Sequence, residues 1–532
     1  MAVLPWRGTK QLGYVEYLVH GDGYSTTVLI VLAIIGRRLE DLGLEAERYD
    51  VDITIRDGSG AVLERATRHY PGTAPFATLS SSDFLGPERS VTGSIEFLIR
   101  CTDAQGRTLD ETVIQNDISP DAFLLWTDGR RTCTCTHANM ATGDIAPVRA
   151  ALRGLEWRAR ELLGRNHTYA GAIAVFEDEE YTSALVLQSY GRPWRTIPLE
   201  LRNAAGEALA NRAPALGPHE VRELPVSEVF PQARAFLAGG PGNILVKSYP
   251  EDLRRYRFLV KTTNRASGAF SLDHSFFMSR VARRTYPDTD HVRLGKGFMF
   301  PHSVLINDRV RTSVILFNNE LEDTAKTVGL LLYDREGRQV RHDGRAAVLP
   351  PRGFVHLDFG EYLGLGPDDA FDGHFEIYYA EPCTPDGRYA TGLHGQVLYD
   401  SPHARESTQV DAAVPWHSPR GFERPPWVLK YETVFMVIPY FCTETLDTSI
   451  HCANVSHAWE FSDSATFSCE LVDRDGRVID RHELAIAPNA HVHLSLSELF
   501  RRQPADGVGL VFVRGLDRDF SWVPLHYFIE CR

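Results

Sequence analysis

The sequence lacks most of the short signatures by which enzymes are recognised. It has no G-x-S-x-G, no H-E-x-x-H, no Walker loop and no G-x-G-x-x-G. A nucleophile elbow, a zincin helix and the common phosphate-cradling loops are therefore not expected. There is no C-x-x-C pair either, which removes zinc-ribbon and thioredoxin-like readings. Eight cysteines in 532 residues do not make a disulfide scaffold. Lysine is scarce, at positions 10, 247, 261, 296, 326 and 430 only. The net charge of −14 disfavours a nucleic-acid surface, and no basic stripe with stacking aromatics is found.

Long apolar runs are also missing. The longest, "VLIVLAIIG" at Val28–Gly36, falls far short of the roughly 20 residues that span a bilayer. The opening "MAVLPWRGTKQLGYVEY" shows no apolar stretch after a basic start, so no secretory signal is recognised. No membrane span is expected, and a cytoplasmic protein with reduced thiols is the default. The oligomeric state is open.

What is present is ordinary globular composition, 43% hydrophobic and 24% charged, in a chain long enough for roughly three to five domains. The informative feature is an internal repeat. "IRDGSGAVL" at Ile55 recurs as "LRNAAGEAL" at Leu201, "LYDREGRQV" at Leu332 and "LVDRDGRVI" at Leu471. The turn glycines Gly60, Gly206, Gly337 and Gly476 are 146, 131 and 139 residues apart. Each copy runs a β-prone stretch into Asp or Asn, two variable residues and Gly, the chemistry of a tight hairpin. A calcium loop opening at Asp473 would need an acid at its twelfth position, where Leu484 stands.

Other features keep the phase. A strand opened by Thr or Ser precedes each hairpin, at Ser25, Thr182, Thr312 and Thr448. A Pro-led strand follows, in "YPGTAPFATL", "LGPHEVREL", "LPPRGFVHL" and "IAPNAHVHL", and then a Gly-led one at Gly93, Gly242, Gly373 and Gly509. About seven short alternating strands per copy, with turn signals between them, form the pattern of an antiparallel sandwich. The order resembles the immunoglobulin-like tandem modules of large bacterial proteins. The resemblance implies an all-β fold of four tandem β-sandwich repeats and brings no catalytic residues with it. The expected boundaries are 1–145, 146–285, 286–408 and 409–532. A helix from Pro147 to Gly164 opens the second unit, and a Pro-rich linker with docked Trp416 and Trp427 opens the fourth.

Three clusters are weighed for chemistry. Cys133, Cys135 and His137 in "TCTCTH" share one strand face, successive members about 6.5 Å apart. A soft metal ion or a pair of small buried thiols both fit that pattern. His137, His274, His394 and His526 fall near the last strand of each copy. They either satisfy a buried backbone group in each sandwich, or converge as nitrogen ligands if the units close into a ring. His491 and His493 form a H-x-H pair, with His356 and Glu223 at the place of His493 in other copies. The acidic runs "FEDEEY" and "GPDDAFDG" are expected to be solvated loops. Arg254, Arg255 and Arg257 suit an anion or a guarded sheet edge.

The expectation is thus a non-catalytic scaffold or binding protein for a protein or glycan partner, with no cofactor. The alternative is a metalloprotein, or an enzyme, holding zinc, iron or copper on the histidines where units meet. Metal-site candidates are Cys133, Cys135, His137, His274, His394 and His526.

Overall fold

The computed structural model describes residues 12–40, 43–108, 122–137, 140–142, 169–189, 196–247, 258–275, 284–285, 301–318, 324–380, 388–389, 393–402, 404–410, 435–455, 464–515 and 525–532. The fold is predominantly β, built from several antiparallel sheets with short helices between them. Among the described residues no helix is long and apolar enough to cross a membrane. The helix expected at 147–164, Trp416, Trp427, Arg254, Arg255 and Arg257 lie outside the described residues.

The repeated sequence marks produce a repeated sheet order. In the first set of strands, a hairpin sheet runs Val62–Pro71, Arg48–Asp57, Val91–Thr102, Leu12–His20 and Met140–Thr142. It faces a sheet ordered Ala77–Ser80, Ser25–Ile30, Ala122–Thr127 and Cys133–His137. The second set repeats this with Ala208–Ala213, Ile197–Arg202, Gly242–Lys247 and Tyr169–Val175. Its facing sheet is Val221–Pro225, Tyr181–Gln188, Leu259–Asn264 and Phe270–His274.

In the third set the two layers are Gln339–Leu349, Lys326–Asp334, Phe371–Tyr379, His302–Ile306 and Phe354–Asp358, Arg311–Asn318, Leu393–Asp400, Arg405–Val410. A bridge between Ile306 and Arg311 joins them into one sheet. The fourth set holds Val478–Ile486, Ala465–Val472, Val508–Gly515 and Phe435–Phe441 against His491–Ser495, Leu446–Ala453 and Leu525–Cys531. Between the layers of each set lies an apolar core, exemplified by Val51 and Trp126, Leu187 and Ile244, Leu316 and Phe375, and Ile450 and Val511.

The phase-locked residues acquire physical roles. Thr26, Thr312 and Thr448 are fully buried, and each hydroxyl accepts from one backbone N–H and donates to the carbonyl of the same residue. Those residues are Val19, Leu305 and Phe441, each on the preceding strand, at 2.8–3.1 Å. In the second set the Ser183 hydroxyl accepts from Phe176 N at 2.9 Å. A hydroxyl thus takes the place of ladder bonds where the chain steps from one sheet to the other. The Gly-led strands start with Gly because they cross close to a neighbour. A Cβ at Gly509 would stand 2.8 Å from Val472 O.

The repeated hairpins do more than turn the chain. The tip of each one sits on the Pro-led turn of the next set. Gly60 lies over Pro218 and His219, Gly206 over Pro351 and Arg352, and Gly337 over Pro488 and Asn489. His219, Arg352 and Asn489 are left-handed, with φ of +58°, +59° and +57°. Backbone bonds mark each seat: Val221 N donates to Gly58 O (3.0 Å), Phe354 N to Ala204 O (3.2 Å), and His491 N to Arg335 O (3.1 Å). The fourth hairpin returns to the first set. Gly476 faces Thr73 and Pro75, and Arg474 Nη1 donates to Thr78 Oγ1 at 2.7 Å. A shared core closes the same seam, with Leu29, Phe123 and Leu125 against Phe441, Leu510 and Ile529. The contacts run one to two, two to three, three to four and four to one. The cycle is closed.

Candidate functional site

Closing that cycle brings strands of all four sets together. Cys133–His137 abuts both Phe270–His274 and Leu525–Cys531, and Phe270–His274 also abuts Arg405–Val410. The alternation of "TCTCTH" explains how one strand serves two neighbours. Thr132 and Thr134 face the second set. Thr134 Oγ1 donates to Leu272 O (3.3 Å) and accepts from Leu272 N (3.2 Å), while Thr132 Oγ1 accepts from Phe270 N (3.3 Å). Cys133 and Cys135 face the fourth set, where the Cys135 sulfur lies 3.9 Å from the Tyr527 hydroxyl. Cys531 Sγ donates to Thr132 O at 3.5 Å.

Glu406, half-buried on the third set, is where the four meet. Burial pushes its carboxyl up to about 8; its hydrogen bond with the Thr134 side chain pulls the other way, and the charges of Asp273 and Cys531 add to the rise. Asp273 is itself tied down. It accepts from Gln396 Nε2 (2.8 Å) and His274 N (2.7 Å), and Gln396 Oε1 accepts from Ala174 N (2.8 Å). Arg405, next along the chain, pairs with Asp400 at 3.1 Å and covers the Phe176 and Tyr181 rings at 4.5 and 4.2 Å. Burial holds the Cys133 thiol well above its ordinary value and pushes Cys135 up to about 12. At neutral pH these two thiols and the carboxyl are protonated, which suits hydrogen bonding and packing more than ligation.

The histidines do not share one position. His137 pairs in register with Phe123 and His274 with Leu259, equivalent registers on the outermost strand of the first and second sets. His394 and His526 lie instead on the strand that pairs directly with the Thr-opened one, opposite Phe317 and His451, and differ from each other by two residues of register. The in-phase reading therefore holds for one pair of the four. Differing loop lengths let a single residue drift while the strands stay aligned. His274 is buried, its Nδ1 3.4 Å from Ser275 O. His137, His394 and His526 are described by strand position alone. Cys133 and Cys135 do lie on one face, as their spacing requires. Among the described residues no three His, Cys, Asp or Glu side chains gather where they would hold one metal ion.

A denser histidine group lies on the seam between the third and fourth sets. His491 Nε2 bonds Asp372 Oδ1 at 2.7 Å, and Arg335 stands 3.7 Å from the same carboxylate. The His374 and His491 rings meet edge to face at 5.8 Å, and His493 stacks on His451 at 3.7 Å. Burial lowers the His493 pKa, and the neighbouring His491 and Arg335 lower it further, against the pull of Asp372. Glu223, His356 and His493 do occupy equivalent registers, opposite Val186, Ile315 and His451. Their partners are different residues. Glu223 takes the Tyr17 hydroxyl and Lys261, and His356 takes Ser313.

The acidic runs are not simply solvated. Glu177 of "FEDEEY" is buried against Arg265 and the Ser183 amide, and Asp372 of "GPDDAFDG" is the anchor of the histidine seam.

No family model matches the chain, and no curated protein matches it. Among solved structures it has a distant likeness to dimeric latent PorU from Porphyromonas gingivalis. That match has 10% identity and a TM-score of 0.17, and covers 68% of this chain. The chain spans about a third (32%) of that protein's length. At that score the likeness assigns neither fold nor activity.

Proposed function

We propose that this chain is a non-catalytic binding protein. It is built as a ring of four immunoglobulin-like sandwiches and meets a protein or glycan partner with its rim. The observation that carries this reading is the cyclic seating of each hairpin tip on the next Pro-led turn. Head-to-tail interfaces of one kind generate a ring when the rotation closes, and here the repeats supply that rotation within one chain. The hairpin tips and Pro-led turns that the repeat keeps in phase are occupied in joining sets together. The outer hairpin strands Val62–Pro71, Ala208–Ala213, Gln339–Leu349 and Val478–Ile486 remain largely exposed at the sheet edges. They carry exposed valines at 62, 340, 348 and 478 among Arg, His and Glu, an amphipathic rim suited to a partner.

Two measurements test it. Small-angle scattering of the intact protein should give a radius of gyration near 24 Å, the value for about 530 residues in one compact body. A rod of four sandwiches would give a far larger one and overturn the ring. Elemental mass spectrometry on protein purified without a His-tag should find less than about a tenth of an equivalent of zinc, iron or copper. A stoichiometric metal would replace the binding reading with the metalloprotein one. Partner screens on glycan and peptide arrays should then yield a ligand whose binding falls when Arg341 and Arg345 on the rim are both replaced by Glu.

A further inference from the structure

The seam that closes the cycle holds two thiols that are far apart in the sequence. Cys133 lies on the first set and Cys531 on the last strand of the fourth. Cys133 belongs to the apolar cluster that closes the seam and Cys531 packs against that cluster, its sulfur 3.5 Å from the carbonyl oxygen of Thr132, the residue next to Cys133. Strand Leu525–Cys531 is held on both sides. Phe528 meets Tyr399 of the third set edge to face at 4.8 Å, while Tyr527 meets Phe123 of the first set at 5.7 Å. The two sulfurs are therefore presented to each other by strands with little freedom to move apart.

We propose that Cys133 and Cys531 are a reversible disulfide pair that locks the first and fourth sets together. The oxidant is a low-molecular-weight disulfide. The Cys531 thiolate attacks one sulfur of that reagent and expels one thiolate, leaving a mixed disulfide on Cys531. Cys133 gives its proton to solvent and attacks the Cys531 sulfur, and the second small thiolate leaves. Two protein thiols are oxidised, and one small disulfide is reduced to two thiols.

The two partners are suited to unequal roles. Cys531 is half-buried, and the bond from Cys133 lowers its pKa, so it is the reachable, more ionised attacker. Cys133 is buried and protonated, a resolving thiol that reacts once its neighbour carries the mixed disulfide. Cys135 points to the same seam but is engaged with Tyr527. The inference rests on the seam alone and stands whether or not the ring binds a partner.

The test uses the full-length protein with oxidised glutathione at pH 8, followed by alkylation under denaturing conditions and peptide mass spectrometry. The expected result is a Cys133–Cys531 cross-linked peptide, the loss of two of the eight alkylatable thiols and reversal by dithiothreitol. The oxidised protein should also melt several degrees higher than the reduced one. Cys531→Ser should leave every remaining thiol alkylatable. Retention of both thiols, a stable glutathione adduct on Cys531 that never resolves, or a Cys135–Cys531 link would each overturn the assignment. The wild-type measurement needs no variant to fold.

Discussion

Pro488 leaves no room for a side chain on Gly337. At φ +84°, a Cβ there would stand 2.5 Å from the Pro488 carbonyl oxygen and 2.7 Å from Ala490 N. The hairpin glycine thus answers to its own turn and to a neighbour from the next set. Gly337→Ala and Gly206→Ala should each cost about 2–4 kcal/mol, the sum of backbone strain and a displaced seat. Gly106→Ala has a similar φ of +75° and open space around it, so only about 1 kcal/mol is expected. Urea unfolding of the three variants makes the comparison. Equal losses would show that seating contributes nothing beyond the turn.

The buried hydroxyl of Thr312 gives a second prediction. Thr312→Val keeps the shape but strands Leu305 N and O without a partner, at a cost of about 1–3 kcal/mol. Thr312→Ser keeps the hydroxyl and should recover most of that loss in the same urea midpoint. A valine variant as stable as wild type would mean that water reaches the step between the sheets.

Glu406 makes stability fall as the solution becomes alkaline. Its folded value of about 8 lies above the ordinary 4.5, so between the two the unfolded chain releases a proton that the folded chain keeps. The contribution is full below about 4.5 and is lost as pH rises through 8. Its slope approaches about 1.4 kcal/mol per pH unit at most. Glu406→Gln imitates the protonated form. It should match wild type near pH 5 and exceed it at pH 8.5 in thermal melts, and an unchanged difference between those values would refute the assignment.

On the histidine seam the sign is opposite. His493 titrates below its ordinary 6.5 in the folded chain, so the unfolded chain takes up the proton first as pH falls. Stability is full above 6.5 and declines below it. The groups facing His493 are His451, His491, Asp372 and Arg335. His493→Phe preserves the stacking on His451 and removes the titration. Its urea midpoint should change less than that of wild type between pH 7.5 and 5.5. An identical acid response in both proteins would place the titrating group elsewhere.

Local structure was legible in the sequence because it is written locally. The Asx-x-x-Gly turn, the Thr-opened strand and the Pro-led strand depend on residues within a few positions of one another, and each appears near its expected place, although the bridging hydroxyls of the first two sets are Thr26 and Ser183, one residue past the expected Ser25 and Thr182. The immunoglobulin-like repeat count remains part of the proposal, whereas the all-β, multi-sheet architecture is observed. What was not legible depends on distant partners. Glu177 meets Arg265 across 88 residues, and Asp372 meets His491 across 119, so both acids look solvated in isolation. The repeated turn was recognised as a turn, but nothing in one copy says that its tip rests on the next. The histidine phase misled because it compared single residues where only strand register is preserved.

The closing seam has a consequence for how the protein is made. Leu29, Phe123 and Leu125 leave the ribosome long before Phe441, Leu510 and Ile529, which cover them in the finished fold. At ordinary elongation rates the delay is on the order of tens of seconds. During that interval the newborn first set carries a bare greasy flank and an unpaired partner site. In a crowded polysome, the same flank on a neighbouring nascent chain offers itself at the same moment. Biogenesis therefore depends on keeping that flank shielded until the last strands arrive.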